Sequence, residues 1–330
     1  MNVTYREAAE HLLSHDNYIV LIHDRADGDG LGSSIGLSCI LSLLGKSALI
    51  ASPGKIPDRL KFINTSSVKI LEGEAEFLSY LTENSTIIST DVASDYLLAD
   101  LKDIVESRIS LAIDHHKLNT LSCQKLLIEE TASSAGEVVY ELGTVLCAMT
   151  GKDLFSYDVC FSLYSAISSD SGCFKYSNTG VKTHKFASVL LQSGIPAHEI
   201  NYKLFDLKSK VQIDVERLAY NHMEFFYDGK LCLVYIPKKE LDKIGATNND
   251  TETVIQIPRC MEGVEIGVYM YEKAPNQFKF SVRTNGDGDM SELCAFFGGG
   301  GHKKAAGCTI ELTDNEAKKA FVHKSKEYIK

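Results

Sequence analysis

The run Tyr18–Ile22 consists of five apolar residues, and it predicts a buried β-strand near the start of the chain. The glycine-rich stretch His23–Ser34 follows directly, and the apolar segment 35–44 behind it predicts a helix with Ser33 or Ser34 as its N-cap. A buried strand, a glycine-rich turn and a helix form the first half of a strand-helix-strand unit. This order strongly limits the folds available to the chain, because such units build parallel sheets.

The same alternation continues through the first half of the chain. Further strands are predicted at 47–52, 86–90 and 109–113. Helices are predicted at 155–168 and at 133–150, where Ser134 and Glu137 have the spacing of a capping signal. We therefore expect an α/β domain built on a parallel sheet.

The pattern changes near residue 195. A charged segment, 197–218, predicts a helical connector, and alternating apolar residues predict strands at 231–236, 264–271 and 278–284, followed by a closing helix at 314–329. These segments indicate a smaller mixed α+β domain. The predicted organisation is 1–195, a helical linker at 196–218, and 219–330.

Composition excludes several classes of function. The chain has 330 residues, a net charge of −10 and a pI near 5.5, which argues against broad electrostatic binding of long nucleic acids. Its nine cysteines include no C-x-x-C pair, as is typical of reduced thiols in a cytosol. The N-terminus lacks the features of a signal peptide, and no apolar run approaches the roughly 20 residues that span a bilayer. We expect a cytoplasmic protein with no membrane partner.

Side chains that commonly bind metal ions follow the predicted buried elements at four places. They are His23, Asp27 and Asp29; Asp91; Asp114, His115 and His116; and Asp170. Open α/β sheets bind ligands at the carboxyl ends of their strands, so these groups are expected to converge. Metal binding would offset the free-energy cost of burying several carboxylates together.

The ligand types indicate which chemistry such a site supports. Carboxylates combined with imidazoles favour Mn²⁺, Mg²⁺ or related ions, whereas thiolates would favour zinc. Two acids at positions i and i+2 of a glycine-rich turn suit a pair of ions better than one. Two ions about 3.5–4 Å apart activate a bridging water and neutralise the charge that grows on a phosphoryl group. The sequence therefore predicts phosphoester hydrolysis.

Simpler explanations exist for each motif taken alone. The first stretch could be a phosphate-binding glycine turn, although it lacks both G-x-G-x-x-G and the lysine of a P-loop. Asp170 could cap a helix. The glycine run at 298–301 could be a flexible loop, with His302 on the surface, and Arg283 could be a solvated residue of an amphipathic strand.

Taken together, the motifs resemble the DHH phosphoesterases, and within them the DHH/DHHA1 group of oligoribonucleases and 3′-phosphoadenosine 5′-phosphate phosphatases, often called nanoRNases. The four catalytic motifs are His23-x-x-x-Asp27-x-Asp29, Asp91, Asp114-His115-His116, and Asp170-Ser171-Gly172-x-Phe174. The C-terminal signature is the run from Gly298 to Gly307. Two departures from the commonest pattern, Ala26 and Ser171, replace no expected ligand.

The resemblance implies a role for each matched residue. One ion, usually Mn²⁺, would be held by His23, Asp27 and Asp91, and a second by Asp29, Asp91, His115 and Asp170. Asp114 would orient a neighbouring ligand, and His116 would meet the scissile phosphate as a donor or acid. Substrate would be bound by Arg283, Gly299, Gly300, Gly301 and His302, in a domain that closes over the site.

The implied function is hydrolysis of short oligoribonucleotides, including pApA-type dinucleotides, to mononucleotides. Removal of the 3′-phosphate from 3′-phosphoadenosine 5′-phosphate is a second implied activity. Alternatives are a cyclic-dinucleotide phosphodiesterase, a single-strand exonuclease or a pyrophosphatase of the same superfamily, and a non-catalytic nucleotide-binding module. The resemblance leaves a homodimer open.

Overall fold

The computed structural model describes residues 1–330, which form two compact units, Met1–Leu207 and Lys208–Lys330. Each unit has its own sheet and its own buried apolar core. They are described separately below. The predicted positions of the domain boundaries stay a prediction.

The first unit is built on a six-stranded, fully parallel sheet with the strand order β3-β2-β1-β4-β5-β6. Its strands are β1 (Tyr18–Leu21), β2 (Ala48–Ser52), β3 (Ile70–Glu72), β4 (Thr86–Thr90), β5 (Ile109–Asp114) and β6 (Leu126–Ile128). The order reverses between β1 and β4, so the following loops leave a crevice there, as in other doubly wound sheets. The predicted α/β class with a parallel sheet is confirmed.

Helices cover both faces of this sheet. They are α1 (Tyr5–Ser14), α2 (Gly28–Leu43), α3 (Glu74–Tyr80), α4 (Lys102–Val105), α5 (Ala135–Thr150), α6 (Tyr157–Asp170), α7 (Val181–Leu191) and α8 (Ala197–Asn201). Short 3-10 helices span Asp58–Ile63 and Asp95–Leu101, and a π-helical turn spans Tyr202–Asp206. One core packs against each face, and β1 contributes Tyr18 and Val20 to one and Ile19 and Leu21 to the other.

The prediction for the start of α2 was wrong. The helix begins at Gly28, well before residue 35, and its N-cap is Asp27, whose carboxylate accepts from the backbone N–H groups of Asp29 and Gly30. Ser33 and Ser34 are interior helix residues, and Ser34 donates to the carbonyl of Gly30. Glycines lower helix propensity, so the pattern suggested a turn, but tertiary packing overrides that preference here.

That packing is the close antiparallel crossing of α2 and α6. Gly28, Gly32 and Gly36 recur every four residues on the face of α2 that meets α6. A Cβ built on Gly32 would lie 2.5 Å from the carbonyl oxygen of Ser162, and one on Gly28 would lie 2.4 Å from Oγ of Ser169. The crossing therefore requires residues without side chains, and it brings the end of α6 to the start of α2.

The second unit is built on a mixed sheet with the order β11-β12-β10-β9-β8-β7. Its strands are β7 (Met223–Phe226), β8 (Leu231–Tyr235), β9 (Ile266–Ala274), β10 (Gln277–Thr284), β11 (Gly300–His302) and β12 (Ala305–Glu311). Only β8 and β9 pair in parallel. The predicted mixed α+β architecture is confirmed.

Helices of the second unit pack on both faces of its sheet. They are α9 (Lys210–Asn221), α10 (Lys238–Lys243), α11 (Asn248–Thr251), α12 (Gln256–Arg259), α13 (Met290–Ala295) and α14 (Asp314–Ser325), with a final 3-10 turn at Lys326–Tyr328. The main core lies between the sheet and α13 and α14, where Phe280 and Phe321 stack with ring centroids 4.5 Å apart. None of the helices in either unit is both long and apolar enough to cross a membrane.

Candidate metal centre

The predicted ligands lie where the strand order of the first sheet reverses. His23 follows β1, Asp91 directly follows β4, and Asp114 is the last residue of β5. These three strands are neighbours in the sheet, and their carboxyl ends face the same edge. The fold therefore gathers residues that are far apart in the sequence.

Helix ends supply the remaining acidic ligand candidates. Asp29 lies in the first turn of α2, and its carboxylate accepts from the backbone N–H groups of Ala135 at 2.7 Å and Gly136 at 2.9 Å, at the start of α5. The positive end of that helix dipole favours a carboxylate at this position. Asp170 is the last residue of α6, whereas the sequence analysis ended this helix at residue 168, and the glycine contact with α2 brings Asp170 near Asp29.

His23, Asp27 and Asp91 form the first group of potential ligands. Nε2 of His23 lies 3.7 Å from Oδ1 of Asp27 and 3.6 Å from Oδ2 of Asp91. These separations are longer than ordinary hydrogen bonds. Two atoms that bind the same octahedral ion at about 2.1 Å lie about 3 Å from each other. The observed separations are close to that distance, so these three residues could bind one ion.

His115 is the centre of the second group. Its Nε2 lies 3.7 Å from carboxylate oxygens of Asp29, Asp91 and Asp170. Its Nδ1 lies 3.3 Å from the carbonyl oxygen of Ala132, an arrangement that places the ring proton on Nδ1 and leaves Nε2 free to bind a metal. The two groups share Asp91. Its Oδ2 faces His23 in the first group, and its Oδ1 faces His115 in the second.

Asp91 is the most constrained residue of the centre. Only 4% of its surface is exposed, its Oδ1 atom is buried without a hydrogen-bond partner, and its backbone has φ +58°. A left-handed conformation is uncommon for a residue other than glycine and is typical of functional sites. A buried carboxylate oxygen without a donor is costly in a metal-free protein, whereas a bound cation would satisfy it.

Asp114 and His116 form a pair beside these groups. Oδ1 of fully buried Asp114 accepts from Nδ1 of His116 at 2.8 Å, and Nδ1 of that ring lies 3.5 Å from Oδ1 of Asp91. The His116 side chain is 46% exposed, so its other nitrogen remains accessible to a bound molecule. The other oxygen of Asp114 accepts from Nδ2 of Asn119 at 2.6 Å, a contact that the sequence analysis missed. An asparagine in a short polar loop directly after a ligand cluster is the signal that could have revealed it.

The protonation of the metal-free centre reflects this crowding of charges. Burial, together with neighbouring carboxylates, raises the pKa values of Asp29 and Asp91. The same two causes raise the pKa of Asp170 to about 6. Burial alone would lower the pKa of His23, but the carboxylates of Asp27 and Asp91 outweigh burial and raise it to about 10. Such opposed shifts in one cluster are typical of sites built to hold positive charge.

The donor set fits divalent ions that prefer oxygen and imidazole ligands. The potential ligands form groups whose ligating atoms lie within 4.8 Å of one another, and no cysteine belongs to them. Carboxylates with imidazoles suit Mn²⁺ and Mg²⁺. The chain thus has an Asp/His cluster that could bind metal ions, with Asp91 positioned between two groups.

The residues predicted to bind substrate lie in the second unit. Arg283 on β10 and His302 on β11 both align with Ala305 of β12, so they occupy one row across the sheet, two strands apart. The glycine run forms β11 and its approach, not a structureless loop, and a Cβ built on Gly299 would lie 2.2 Å from the carbonyl oxygen of Gly307. Close packing of β11 on β12 therefore requires glycine there, and binding of substrate by Gly299, Gly300, Gly301, His302 and Arg283 stays a prediction.

Comparison with known families agrees with this arrangement. The N-terminal domain of the DHH family matches residues 17–167, and the DHHA1 domain matches residues 228–330. The chain belongs to the DHH/DHHA1 family. The first matched region contains Asp114-His115-His116, and the second contains the glycine run.

Similar proteins match this chain over more than nine-tenths of its length. The DHH/DHHA1 chain is 25% identical over 303 residues to the bifunctional oligoribonuclease and PAP phosphatase NrnA of Bacillus subtilis, covering 91% of each protein. It is 24% identical to the cyclic-di-AMP phosphodiesterase PdeA of Listeria monocytogenes, covering 96% of this chain but 48% of that protein. A crystal structure of an exopolyphosphatase-related protein from Bacteroides fragilis has a TM-score of 0.87 and 25% identity, covering 98% of this chain and 96% of that one.

Proposed function

We propose that this protein is a metal-dependent phosphoester hydrolase that degrades short oligoribonucleotides, including pApA-type dinucleotides, to mononucleotides. We also propose that it removes the 3′-phosphate from 3′-phosphoadenosine 5′-phosphate. The observation that carries the proposal is Asp91, whose unpartnered, buried oxygen faces one group of ligands while its other oxygen faces a second group. Membership of the family and similarity to the Bacillus oligoribonuclease support the substrate class.

The proposed cofactor is a pair of Mn²⁺ ions. His23, Asp27 and Asp91 would hold one, and Asp29, Asp91, His115 and Asp170 the other. When bound, two such ions lower the pKa of a bridging water and offset the charge on a phosphoryl group. The acids at the centre would then need no protons to remain buried together, because the ions would balance their charge.

His116 is proposed to act on the substrate itself. Its Nδ1 donates to Asp114, which fixes the ring and raises the pKa of His116 to about 9, with the buried carboxylate outweighing the effect of burial. A protonated ring near neutral pH can donate a hydrogen bond to a phosphate oxygen and can give a proton to the leaving oxygen. Asp114 would contribute indirectly, by holding the ring in place.

Hydrolysis of a 5′-phosphorylated diadenylate with Mn²⁺ tests the proposal. The expected product is AMP, and Asp91→Ala and His115→Ala should each reduce the rate to background, because the first removes the proposed shared ligand and the second removes a proposed ligand of one ion. A matched control is Asp58→Ala, since Asp58 is an exposed acid whose carboxylate pairs with Lys61 at 2.6 Å. Full activity in Asp91→Ala, or no hydrolysis by the wild type in Mn²⁺, would refute the assignment.

A panel of substrates separates the related activities. RNAs of two to seven nucleotides, 3′-phosphoadenosine 5′-phosphate, cyclic di-AMP, pyrophosphate and long single-stranded DNA should be compared at equal concentration. Similarity to the Listeria phosphodiesterase is the reason to include the cyclic dinucleotide. We expect the highest kcat/KM on the shortest linear RNAs. Tight nucleotide binding without turnover would instead indicate a binding module.

Two further properties of the proposal come from the sequence and its resemblance. A cytoplasmic location stays a prediction, as does assembly into a homodimer. Light scattering coupled to gel filtration measures the molar mass in solution, and a value near twice 36.4 kDa would support the dimer.

A further inference from the structure

Asn119 lies in the loop after β5, and every hydrogen-bonding group of its side-chain amide is used. Nδ2 donates to Oδ2 of Asp114 at 2.6 Å and to the carbonyl of Val92 at 3.0 Å. Oδ1 accepts from the backbone N–H of Leu121 at 2.9 Å. Two donors and one acceptor are what an amide side chain offers here, so asparagine matches this position and aspartate does not.

These bonds connect the loop that carries Asp91 to the last residue of β5, which precedes His115 and His116. Val92 directly follows Asp91, whose left-handed backbone must be held by its surroundings. Asp114 precedes His115 and His116, and its Oδ1 accepts from both of their backbone N–H groups. Asn119 therefore links the loop after β4 to the acid that organises the loop after β5.

We propose that Asn119 is a positioning residue for the metal centre, acting through Asp114 and the backbone next to Asp91. This inference rests on the proposed function. Asn119 holds Asp114 so that its Oδ1 faces His116, and it fixes the carbonyl of Val92 so that Asp91 keeps its place 3.5 Å from the same ring. Asn119 is not among the candidate metal ligands and is not proposed to contact the reacting atoms.

Two substitutions test different parts of this role. Asn119→Asp nearly preserves the shape of the side chain and the bond to Leu121, but it replaces Nδ2 by a carboxylate oxygen that faces both Oδ2 of Asp114 and the carbonyl of Val92. Asn119→Ala removes all three hydrogen bonds without adding charge. It therefore tests the role of Asn119 even if the aspartate variant does not fold. Both should displace the loops that carry Asp91 and His116.

The experiment combines steady-state kinetics with calorimetric titration of the purified full-length protein with Mn²⁺. We expect both variants to lose about 10–100-fold in kcat or in Mn²⁺ affinity, as substitutions behind metal ligands commonly do. KM for the dinucleotide should stay unchanged, because Asn119 does not bind substrate. Asn119→Asp should be affected more than Asn119→Ala, because its charge repels Asp114.

Asn64 provides a matched control in the same unit. Its Nδ2 donates to the carbonyl of Val68 at 2.8 Å, and its Oδ1 accepts from the N–H of that residue at 3.0 Å, with no contact to the candidate ligands. Asn64→Ala should lower the melting temperature but leave kcat and Mn²⁺ affinity unchanged. The inference is overturned if folded Asn119 variants behave like Asn64→Ala. If the wild type hydrolyses no nucleotide, the proposed function fails, and Mn²⁺ affinity alone still decides the role of Asn119.

Discussion

The crossing of α2 and α6 predicts that Gly32→Ala destabilises the protein, although alanine is the better helix former. The new Cβ would lie 2.5 Å from the carbonyl oxygen of Ser162 and 3.0 Å from the backbone nitrogen of Ala166, against ordinary contacts of 3.4 Å or more. Both atoms belong to a helix backbone, so neither can rotate away. The two helices must therefore separate by almost 1 Å.

The expected magnitude combines two opposing contributions. Overpacking a tight contact costs about 1–3 kcal/mol. Replacing glycine by alanine inside a helix stabilises the folded state by about 0.5–1 kcal/mol. The free energy of unfolding should therefore fall by about 1–2 kcal/mol, and the melting temperature by about 2–8 °C for a unit of this size.

Urea and thermal unfolding of purified variants measure this difference. Gly36→Ala is the matched control, because the nearest atoms to its new Cβ all belong to the Leu163 side chain, which can change rotamer. Leu163 is fully buried, so that variant should also lose some stability, but less than Gly32→Ala, whose clash is with helix backbone. Because α2 carries Asp29 and α6 carries Asp170, only Gly32→Ala should also weaken Mn²⁺ binding. Equal or greater stability of Gly32→Ala would refute the account of the crossing.

Three further predictions follow from the centre and from the glycine run. Adding Mn²⁺ at one hundred times its dissociation constant should stabilise the protein by about 2.7 kcal/mol per site, and EDTA should remove this gain in thermal unfolding. Since burial raises the pKa of Asp170 to about 6, the folded metal-free protein holds a proton that the unfolded chain releases, so its stability should fall as the pH rises from about 4 to 6. Urea titrations of Asp170→Asn should show a smaller decline, and an identical decline would contradict this assignment. Gly299→Ala should destabilise the second unit because its Cβ meets the carbonyl of Gly307 at 2.2 Å, whereas Gly300→Ala, which faces open space, should not alter its unfolding transition.

Hydrophobic periodicity was enough to predict the architecture of the first unit. Runs such as Tyr18–Ile22 and 109–113 are short and mostly apolar, and in a sheet buried on both faces such runs have few alternatives. The convergence of the candidate ligands follows from the same reasoning, because the ends of parallel strands lie at one edge. The structure does bring His23, Asp91 and His115 to that edge.

Features that depend on tertiary contacts could not be predicted in this way. Helix α2 begins in a glycine-rich stretch because α6 packs closely against it, and no local propensity encodes that neighbour. The left-handed conformation of Asp91 has no local sequence signal, and the bond from Asn119 to the carbonyl of Val92 joins residues 27 positions apart in the chain. Strand β11 was not predicted, because a run of glycines has no alternation of apolar and polar side chains. Its backbone nevertheless pairs with β12.

The reversal of strand order between β1 and β4 has a consequence for loss of function. The opening at the sheet edge is created by the direction in which successive connections turn, so it exists whichever side chains surround it. A chain that lost Asp27 or Asp170 through mutation would keep its architecture and an empty cleft. Inactive descendants of such a protein would thus persist as folded scaffolds, available for binding roles that need shape without ions.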